Sequence, residues 1–541
     1  MAKNYLGIDL GTTESTVSVI EIENRKDKPI EKLRTLDIYQ YNTAHQLDKN
    51  IKGLQSSIYI DNDNETVYTG EYAKGIYASG NKPLHTIRSI KTRIGGESMI
   101  DVPSQNKGNQ SYNMTELSAT LLKTIKQSVD KQITGSLEGV TITIPAGFDS
   151  DERNATIEAA KLVGFNDIHL LDEPTAVLLN ILNSEDSIGE LSKNFFEKPK
   201  NIIVYDIGGG TLDISISRVE DIDGDFDVDV IERSPRMEFG GDDIDKAIAA
   251  YFLQEFEKLN APLNTRTTQE QAQIVSRIVS NAEKHKIEFN KKVEKTLGNE
   301  RRKERVKESV NFEIIDNLKI SDLNLTDALL KDILSPIISK NGNLTKPLDM
   351  ILKSSKLTKD AIDVVILTGG SGKFYLVSET LENYFNGTHI IDFTEQNAVS
   401  KGASIHTFNQ DEEDLKKINI KDIMSDSIYL KRKKGFDLLI QHDQKVGTSG
   451  VYKFIFEETL DRLEIFLFYG ADNEEEWKYR EIAGVFYGLP QTYKKGESID
   501  LEWEFDENKI LTLSFEGKEL VSSQDSKQQK SNLITNFEIK G

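Results

Sequence analysis

The chain has 541 residues, room for about three to five compact units at roughly 100–200 residues each. It carries 67 Lys and Arg against 89 Asp and Glu, a net charge of −22, and that acidic excess argues against a nucleic-acid binder or a protein that adsorbs to anionic lipid. It has no cysteine, which excludes disulfides, thiolate metal sites and cysteine nucleophiles, and no apolar run long enough for a signal peptide or a membrane span, so a reducing, cytoplasmic setting is expected.

Up to about residue 410, short β-branched runs alternate with longer helical stretches. The pattern predicts strands over 6–10, 17–22, 140–144, 202–206, 214–219 and 364–367. Helices are predicted over 115–132, 150–162, 242–259 and 269–289, with Ser150 as an N-cap. Such alternation argues for an α/β architecture with mixed sheets. Residues 411–421 are polar and charge-dense, suited to a linker or a short helix. Beyond them the chain reads as strands. Ile499, Leu501, Trp503 and Phe505 alternate with acidic residues, and Leu511, Leu513 and Phe515 repeat the period after a turn over 506–509. Tyr452/Phe454/Phe456 and Leu463/Ile465/Leu467/Tyr469 add two more runs, and the whole predicts a β-sandwich of roughly 110 residues. A Ser/Gln/Lys-rich stretch over 522–531 follows, with a last strand expected over 533–539.

Two similar strand–turn motifs stand about 200 residues apart. The first is Gly7-Ile8-Asp9-Leu10-Gly11-Thr12-Thr13; the second runs Tyr205-Asp206-Ile207-Gly208-Gly209-Gly210-Thr211-Leu212-Asp213. Each reads strand, Asp, apolar residue, Gly turn, Thr, strand, so the chain contains an internal duplication. Glycine lets a turn bring its N–H groups close to an anion, and the threonines add hydroxyl donors. Asp9 and Asp206, at the strand ends, are suited to a hydrated Mg²⁺. One such turn alone is as readily an ordinary hairpin. The matched pair argues for a polyphosphate clamp.

A third glycine cluster, Leu367-Thr368-Gly369-Gly370-Ser371-Gly372-Lys373, follows a strand and suits close approach to a base and ribose. Glu283, Lys286 and Asn290 fall at i, i+3 and i+7 on one helix face, where they could bond a ribose and an adenine edge. Taken alone, that face reads more readily as a solvated charged surface.

The two strand–turn motifs, together with Ile144-Pro145-Ala146, Asp172-Glu173-Pro174-Thr175-Ala176, Phe239-Gly240-Gly241-Asp242-Asp243 and Gly369-Gly370-Ser371, resemble the seventy-kilodalton heat-shock chaperones of the DnaK type. The resemblance is collinear over 4–410, and the β-rich region resembles the family's peptide-binding β-domain, most clearly over 501–515. It implies an actin-like, two-lobed ATPase domain of duplicated ribonuclease-H-like halves over 1–410, a linker over 411–427, and a β-sandwich substrate-binding domain over 428–541. It further implies ATP or ADP with Mg²⁺ as ligands. Gly11, Thr12, Thr13, Gly208, Gly209, Gly210 and Thr211 then match phosphate-loop positions, and Asp9 and Asp206 hold the ion through water. Gly240, Gly241, Glu283, Lys286, Asn290, Gly369, Gly370, Ser371 and Lys373 complete the nucleotide site. Lys91 matches the lysine that reaches the γ-phosphate and the attacking water, and Glu173 the carboxylate beside that water; with Asp206 and Thr211 they form the catalytic set. Pro145 and Arg153 match a pair that relays nucleotide state, and Asp422 a linker position. Leu430, Phe436, Phe454, Leu463 and Ile465 are candidates for a peptide groove, or else plain sandwich core.

Several positions depart from the family pattern. Lys373 stands for an arginine stacked on adenine and lacks its planar guanidinium. Gln396 replaces an aspartate and Asn290 a serine; the linker reads Ile418-Asn419-Ile420-Lys421-Asp422 instead of a leucine run, and Lys433 replaces an apolar arch residue. After Gly517 about two dozen residues remain, too few for the family's helical lid, so a lidless chaperone with fast peptide exchange is expected. The implied partners are extended or unfolded polypeptides, a J-domain co-chaperone and a nucleotide-exchange factor, with no nucleic acid and no membrane. A second reading is a nucleotide-dependent switch that recognises one specific partner with weak or no hydrolysis. A third, a sugar kinase or filament former on the same actin-like fold, lacks a catalytic aspartate beside a sugar pocket or has no need of the sandwich.

Overall fold

The computed structural model describes all residues except 1, 25–28, 97–98, 184–192, 236, 297, 316–317, 395–396, 413–417, 425–426, 433, 442–443, 471–479, 482–484, 521–536 and 541. Gln396, Lys433 and most of the strand expected over 533–539 therefore lie outside the described residues.

Two sheets share one topology. In the first lobe Lys3–Asp9 pairs antiparallel with Glu14–Asn24, which pairs with Pro29–Thr35, while Ser136–Ile144 and then Ile168–Asp172 join the other side in parallel. In the second lobe Lys200–Ile207 pairs antiparallel with Leu212–Ile222 and that with Asp225–Arg233, while Val364–Thr368 and His389–Asp392 join in parallel. Each central strand is buried on both faces, which is why it reads as a short continuous apolar run. The duplication seen in the two strand–turn motifs thus extends to whole half-domains.

Helices Glu173–Asn183 and Ala398–Asp411 pack on each other and connect the lobes, the second lying on the first-lobe sheet. The contact is close because Gly402 faces helix backbone: a Cβ there would stand 1.7 Å from the Ala176 carbonyl oxygen. The helix predicted over 150–162 is present as Ser150–Leu162, but its cap is Asp149, not Ser150. Asp149 accepts the Glu152 N–H at 2.9 Å and Glu152 returns the bond to the Asp149 N–H, a reciprocal pair that a serine one residue later could not close. Ser150 is thereby left for another partner, the Tyr469 hydroxyl at 3.1 Å.

Within the segment expected as a linker, Ile418–Lys421 forms a strand, which extends the second-lobe sheet in parallel beside Asp225–Arg233. Ile418 is buried against that lobe, and Asn419 and Lys421 both reach Asp227. Among the described residues the β-region holds three sheets around one core that includes Ile428, Phe456, Leu501 and Phe505. The run expected through Leu463–Tyr469 is split at Phe466 between two of them: Leu460–Ile465 pairs with Val485–Tyr493, and Leu467–Gly470 with Ser427–Lys431. Strand Glu538–Lys540 leaves the β-region altogether and pairs with Thr66–Thr69 of the first lobe.

A single methyl at Gly402 forces helix against helix, so Gly402→Ala should lower unfolding stability by about 3 kcal/mol. Gly370→Ala, with no neighbour inside 4 Å of its Cβ position, should stay within about 0.5 kcal/mol of the parent. Denaturant titration of both checks this, and equal stabilities would contradict the helix–helix contact.

Candidate functional site

The two strand–turn motifs face each other across the cleft between the lobes. Gly209 lies so near Thr13 that a Cβ would stand 2.0 Å from its hydroxyl, and one at Gly210 would meet Thr92 and Thr12. The second turn is braced from behind: the Gly208 N–H donates to the Thr211 carbonyl at 2.9 Å, and the Asp242 N–H to the Gly209 carbonyl at 2.7 Å. Gly240 backs directly on Gly209, with 2.5 Å from a Cβ to its carbonyl oxygen. Gly369 has φ +83°, a left-handed conformation that disfavours side chains, and this turn lets the Ser371 hydroxyl bond the Gly208 carbonyl at 2.7 Å. The first, second and third glycine clusters, with Gly240 and Gly241, thus line one cleft.

Charge gathers at its floor. Asp206, Asp213 and Lys91 are buried there, and half-buried Asp9 and Glu173 lie close enough to act on them electrostatically. Lys91, 5% exposed, contacts the Glu173 carboxylate and reaches the Thr143 carbonyl at 3.4 Å. Asp213 accepts the Ala146 N–H at 3.0 Å through one oxygen, and the neighbouring Thr211 hydroxyl favours its charged form. Burial first, then the nearby Glu173 charge, pushes Asp213 up to about 7 and Asp206 well above the ordinary carboxylate value. Burial likewise pushes Asp9 up to about 7, against the pull of Lys91. The pocket holds more negative charge than its one lysine neutralises. Sequence reasoning passed over Asp213, although an Asp between Leu212 and Ile214 inside a buried strand was a visible signal.

At the other end of the cleft, helix Thr268–Glu294 presents Glu283, Lys286 and Asn290. Glu283 takes Lys74 at 2.6 Å and Arg88 at 3.3 Å from the first lobe, and these cations overcome its burial to hold its carboxyl below the ordinary value. Lys286 pairs with Asp245 at 2.8 Å, and burial leaves Asp245 up at about 6. Asn290 donates to the Lys373 carbonyl at 2.7 Å and accepts the Tyr375 N–H at 2.9 Å, so it braces the third glycine loop while the Lys373 side chain stays exposed. Ser89 donates across the cleft to Asp242 at 2.6 Å. Lys74, Arg88 and Ser89 are cleft residues outside the quoted motifs, while Asp242 lies in the Phe239–Asp243 motif without an assigned role.

Glu173 is preceded by Asp172, which faces a second buried cluster. Asp172 pairs with Arg233, with Lys509 at 2.6 Å and with Arg153 at 3.1 Å; Asp422, just after strand Ile418–Lys421, pairs with Arg233 and with Lys509 at 2.7 Å. Burial favours a neutral Asp172, but Arg233, Lys509 and Arg153 outweigh it and hold the carboxyl far below its ordinary range. Burial and the Arg233 charge push Lys509 down. Arg153 also donates to the Phe148 carbonyl at 2.9 Å, and the Phe148 N–H to the Pro145 carbonyl at 3.1 Å. Pro145 stands next to Ala146, whose N–H holds Asp213. Pro145, Arg153 and Asp422 therefore belong to one connected path, whose missing members, Asp172, Arg233 and Lys509, are far apart in sequence. Asn508 completes the joint: its amide accepts the Leu170 N–H at 2.7 Å and donates to the Ile168 carbonyl at 3.4 Å on the open edge of the first-lobe sheet.

In the β-region Leu430, Leu463, Ile465 and Phe454 are packed into the core, while Phe436 is 37% exposed and lies edge-on to Phe468. No described helix is long and apolar enough to cross a membrane.

Duplicated half-domains with facing glycine turns over buried carboxylates define a two-lobed nucleotide-binding fold. A family model described as Hsp70 protein matches residues 5–540, and the chain belongs to the Hsp70 family, whose nucleotide-binding part is an actin-like, two-lobed ATPase domain. It is 26% identical over 526 residues to "Chaperone protein DnaK" of Thermosipho melanesiensis, covering 95% of this chain and 78% of the relative. It is 27% identical over 407 residues to "Chaperone protein DnaK" of Thermosipho africanus, covering 74% of this chain and 58% of that protein.

Asp213→Asn keeps an acceptor for the Ala146 N–H and removes one buried charge. Because the folded pKa lies up at about 7, stability from this group is present in acid and is lost as pH rises through that value. In divalent-free buffer the stability advantage of Asp213→Asn over the parent should be larger at pH 8 than at pH 5.5, by more than about 1 kcal/mol. Equal differences at both pH values would show that Asp213 is not a desolvated charge.

Proposed function

We propose that the chain is an ATP-dependent chaperone in which hydrolysis between the lobes is coupled to binding and release of extended polypeptide by the β-region. The observation that carries this reading is the consecutive pair Asp172-Glu173: one carboxylate engages Lys91 over the candidate phosphate site, the other the cluster that holds the linker and β-region. A change at the phosphates that moves Glu173 acts on Asp172 one peptide unit away.

Thr12, Thr13 and the N–H groups of 208–211 would receive the phosphates from both sides, with Lys91 and Thr211 at the terminal phosphate. Lys91 offers positive charge where negative charge develops, and Glu173 sits where it can accept a bond from the attacking water. Mg²⁺ would neutralise phosphate charge, and the excess of carboxylate at Asp9, Asp206 and Asp213 fits a divalent cation. Glu283, Lys286 and the Gly369–Lys373 loop would receive the ribose and base, with Asn290 as a brace.

The 428–541 region is proposed as the peptide-binding sandwich, served by a J-domain protein and a nucleotide-exchange factor in the cytoplasm. A partner-specific switch is the second reading, favoured by the closure of Leu430, Leu463 and Ile465 into the core. The two part on one assay: an extended apolar peptide with a J-domain protein accelerates ATP turnover by a chaperone and leaves a dedicated switch unchanged.

Lys91→Ala and Thr211→Ala should bind ATP while hydrolysing it about 10²-fold more slowly in single turnover. Parent-like single-turnover rates would remove both residues from the chemistry.

A further inference from the structure

We propose that Phe537–Lys540 is a strand latch, docking in cis on the Thr66–Thr69 edge of the first lobe and thereby fastening the far end of the β-region to the nucleotide-binding lobes. The segment pairs in parallel, Glu538 opposite Thr66, Ile539 opposite Val67 and Lys540 opposite Tyr68, and the Glu538 N–H donates to the Glu65 carbonyl at 3.1 Å. Strand alternation puts Phe537 and Ile539 on one face. Ile539 is buried in the first-lobe core with Val67 and Ile60, and Phe537 packs against the same core. On the other face the Lys540 ammonium lies 5.9 Å from the centre of the Tyr68 ring, a ring that itself sits among Tyr41, His45, Tyr59 and Tyr72. The edge therefore accepts an extended segment of the form apolar, any residue, apolar, cation.

Without this strand, Thr66–Thr69 would be the open edge of a small sheet whose other strands are Ser57–Asp61 and Thr86–Arg88. The last of these carries Arg88 and leads directly into Ser89 and Lys91, so the latch docks on the same sheet that feeds the cleft. Three paired residues make a weak strand in isolation. Attachment to the chain changes this, because a tethered strand binds at high effective concentration. Leu520, in the β-region core, precedes Phe537 by seventeen residues, a contour of up to about 60 Å, so the same chain can deliver the strand. The outcome is a second, reversible attachment of the β-region, made through contacts separate from the Asp172 cluster but supporting the same docking, and not resting on the nucleotide chemistry.

The parent has no cysteine, so Tyr68→Cys with Lys540→Cys gives a clean cross-linking pair in the full chain. Under mild oxidation an intramolecular disulfide should form in the monomer fraction, identified by peptide mapping. A disulfide-linked dimer would assign the edge to a second copy, and no cross-link would leave the edge open in solution; either overturns the latch. Ile539→Asp then tests its effect by hydrogen exchange without nucleotide. Exchange should rise at least about 10-fold both over 66–69 and in the 506–510 turn. A rise over 66–69 alone would mean that the strand docks without holding the β-region, and that too would overturn the proposal.

Discussion

A carboxylate taken out of water keeps its charge only beside cations or donors that compensate its lost hydration, and this chain places two cation-paired carboxylates in succession, Asp172 buried and Glu173 half-buried. Asp172 ends a strand of the first-lobe sheet and Glu173 begins the next helix. Their side chains diverge, Glu173 to Lys91 at the cleft floor and Asp172 to Arg153, Arg233 and Lys509 at the junction of both lobes, linker and β-region. Neither can move far without exposing a cation on the opposite side to the loss of its partner. On the proposed reading the cleft and the junction move together, although they share no side chain.

The duplicated topology explains why the cleft is built so tightly. Each lobe offers its turn at the same point of the same sheet, and glycines at the contact remove the side chains that would hold the lobes apart. Lys74 and Arg88 on Glu283 close the far end. A triphosphate gripped from both sides would favour the lobes as they stand here, with the linker strand paired and Lys509 enclosed. A ligand that lacks the terminal phosphate spans the turns less completely and would relax that closure. On this account the docked β-region belongs to the ATP-bound chain.

Much of the fold was legible because periodicity reports burial. Continuous runs such as 202–206 and 364–367 are central strands buried on both faces, and the paired Gly–Thr turns exposed the duplication directly. The N-cap of the helix over 150–162 was misplaced by one residue because Ser and Asp both cap, and only the returning Glu152 decides between them. Register across long separations was not legible. Nothing local to Lys509, Asn508 or Arg233 announces that they meet beside Asp172, since that meeting depends on how the β-region docks. The split at Phe466 and the departure of Glu538–Lys540 to another sheet have the same cause: alternation identifies a strand but not its partner. Leu430, Leu463 and Ile465 show the converse ambiguity, since apolar alternation describes a core wall and a groove equally well.

The Leu170 amide is the most direct reporter of the coupling, because it lies on an open sheet edge and is bonded by the Asn508 side chain when the β-region is docked. Its hydrogen exchange, compared between Mg-ATP in the Thr211→Ala chain and Mg-ADP in the parent, measures docking against nucleotide state. Protection at least about 10-fold greater with ATP is the result this account predicts. Identical exchange in both states would show that the cleft and the junction are not coupled through Asp172 and Glu173.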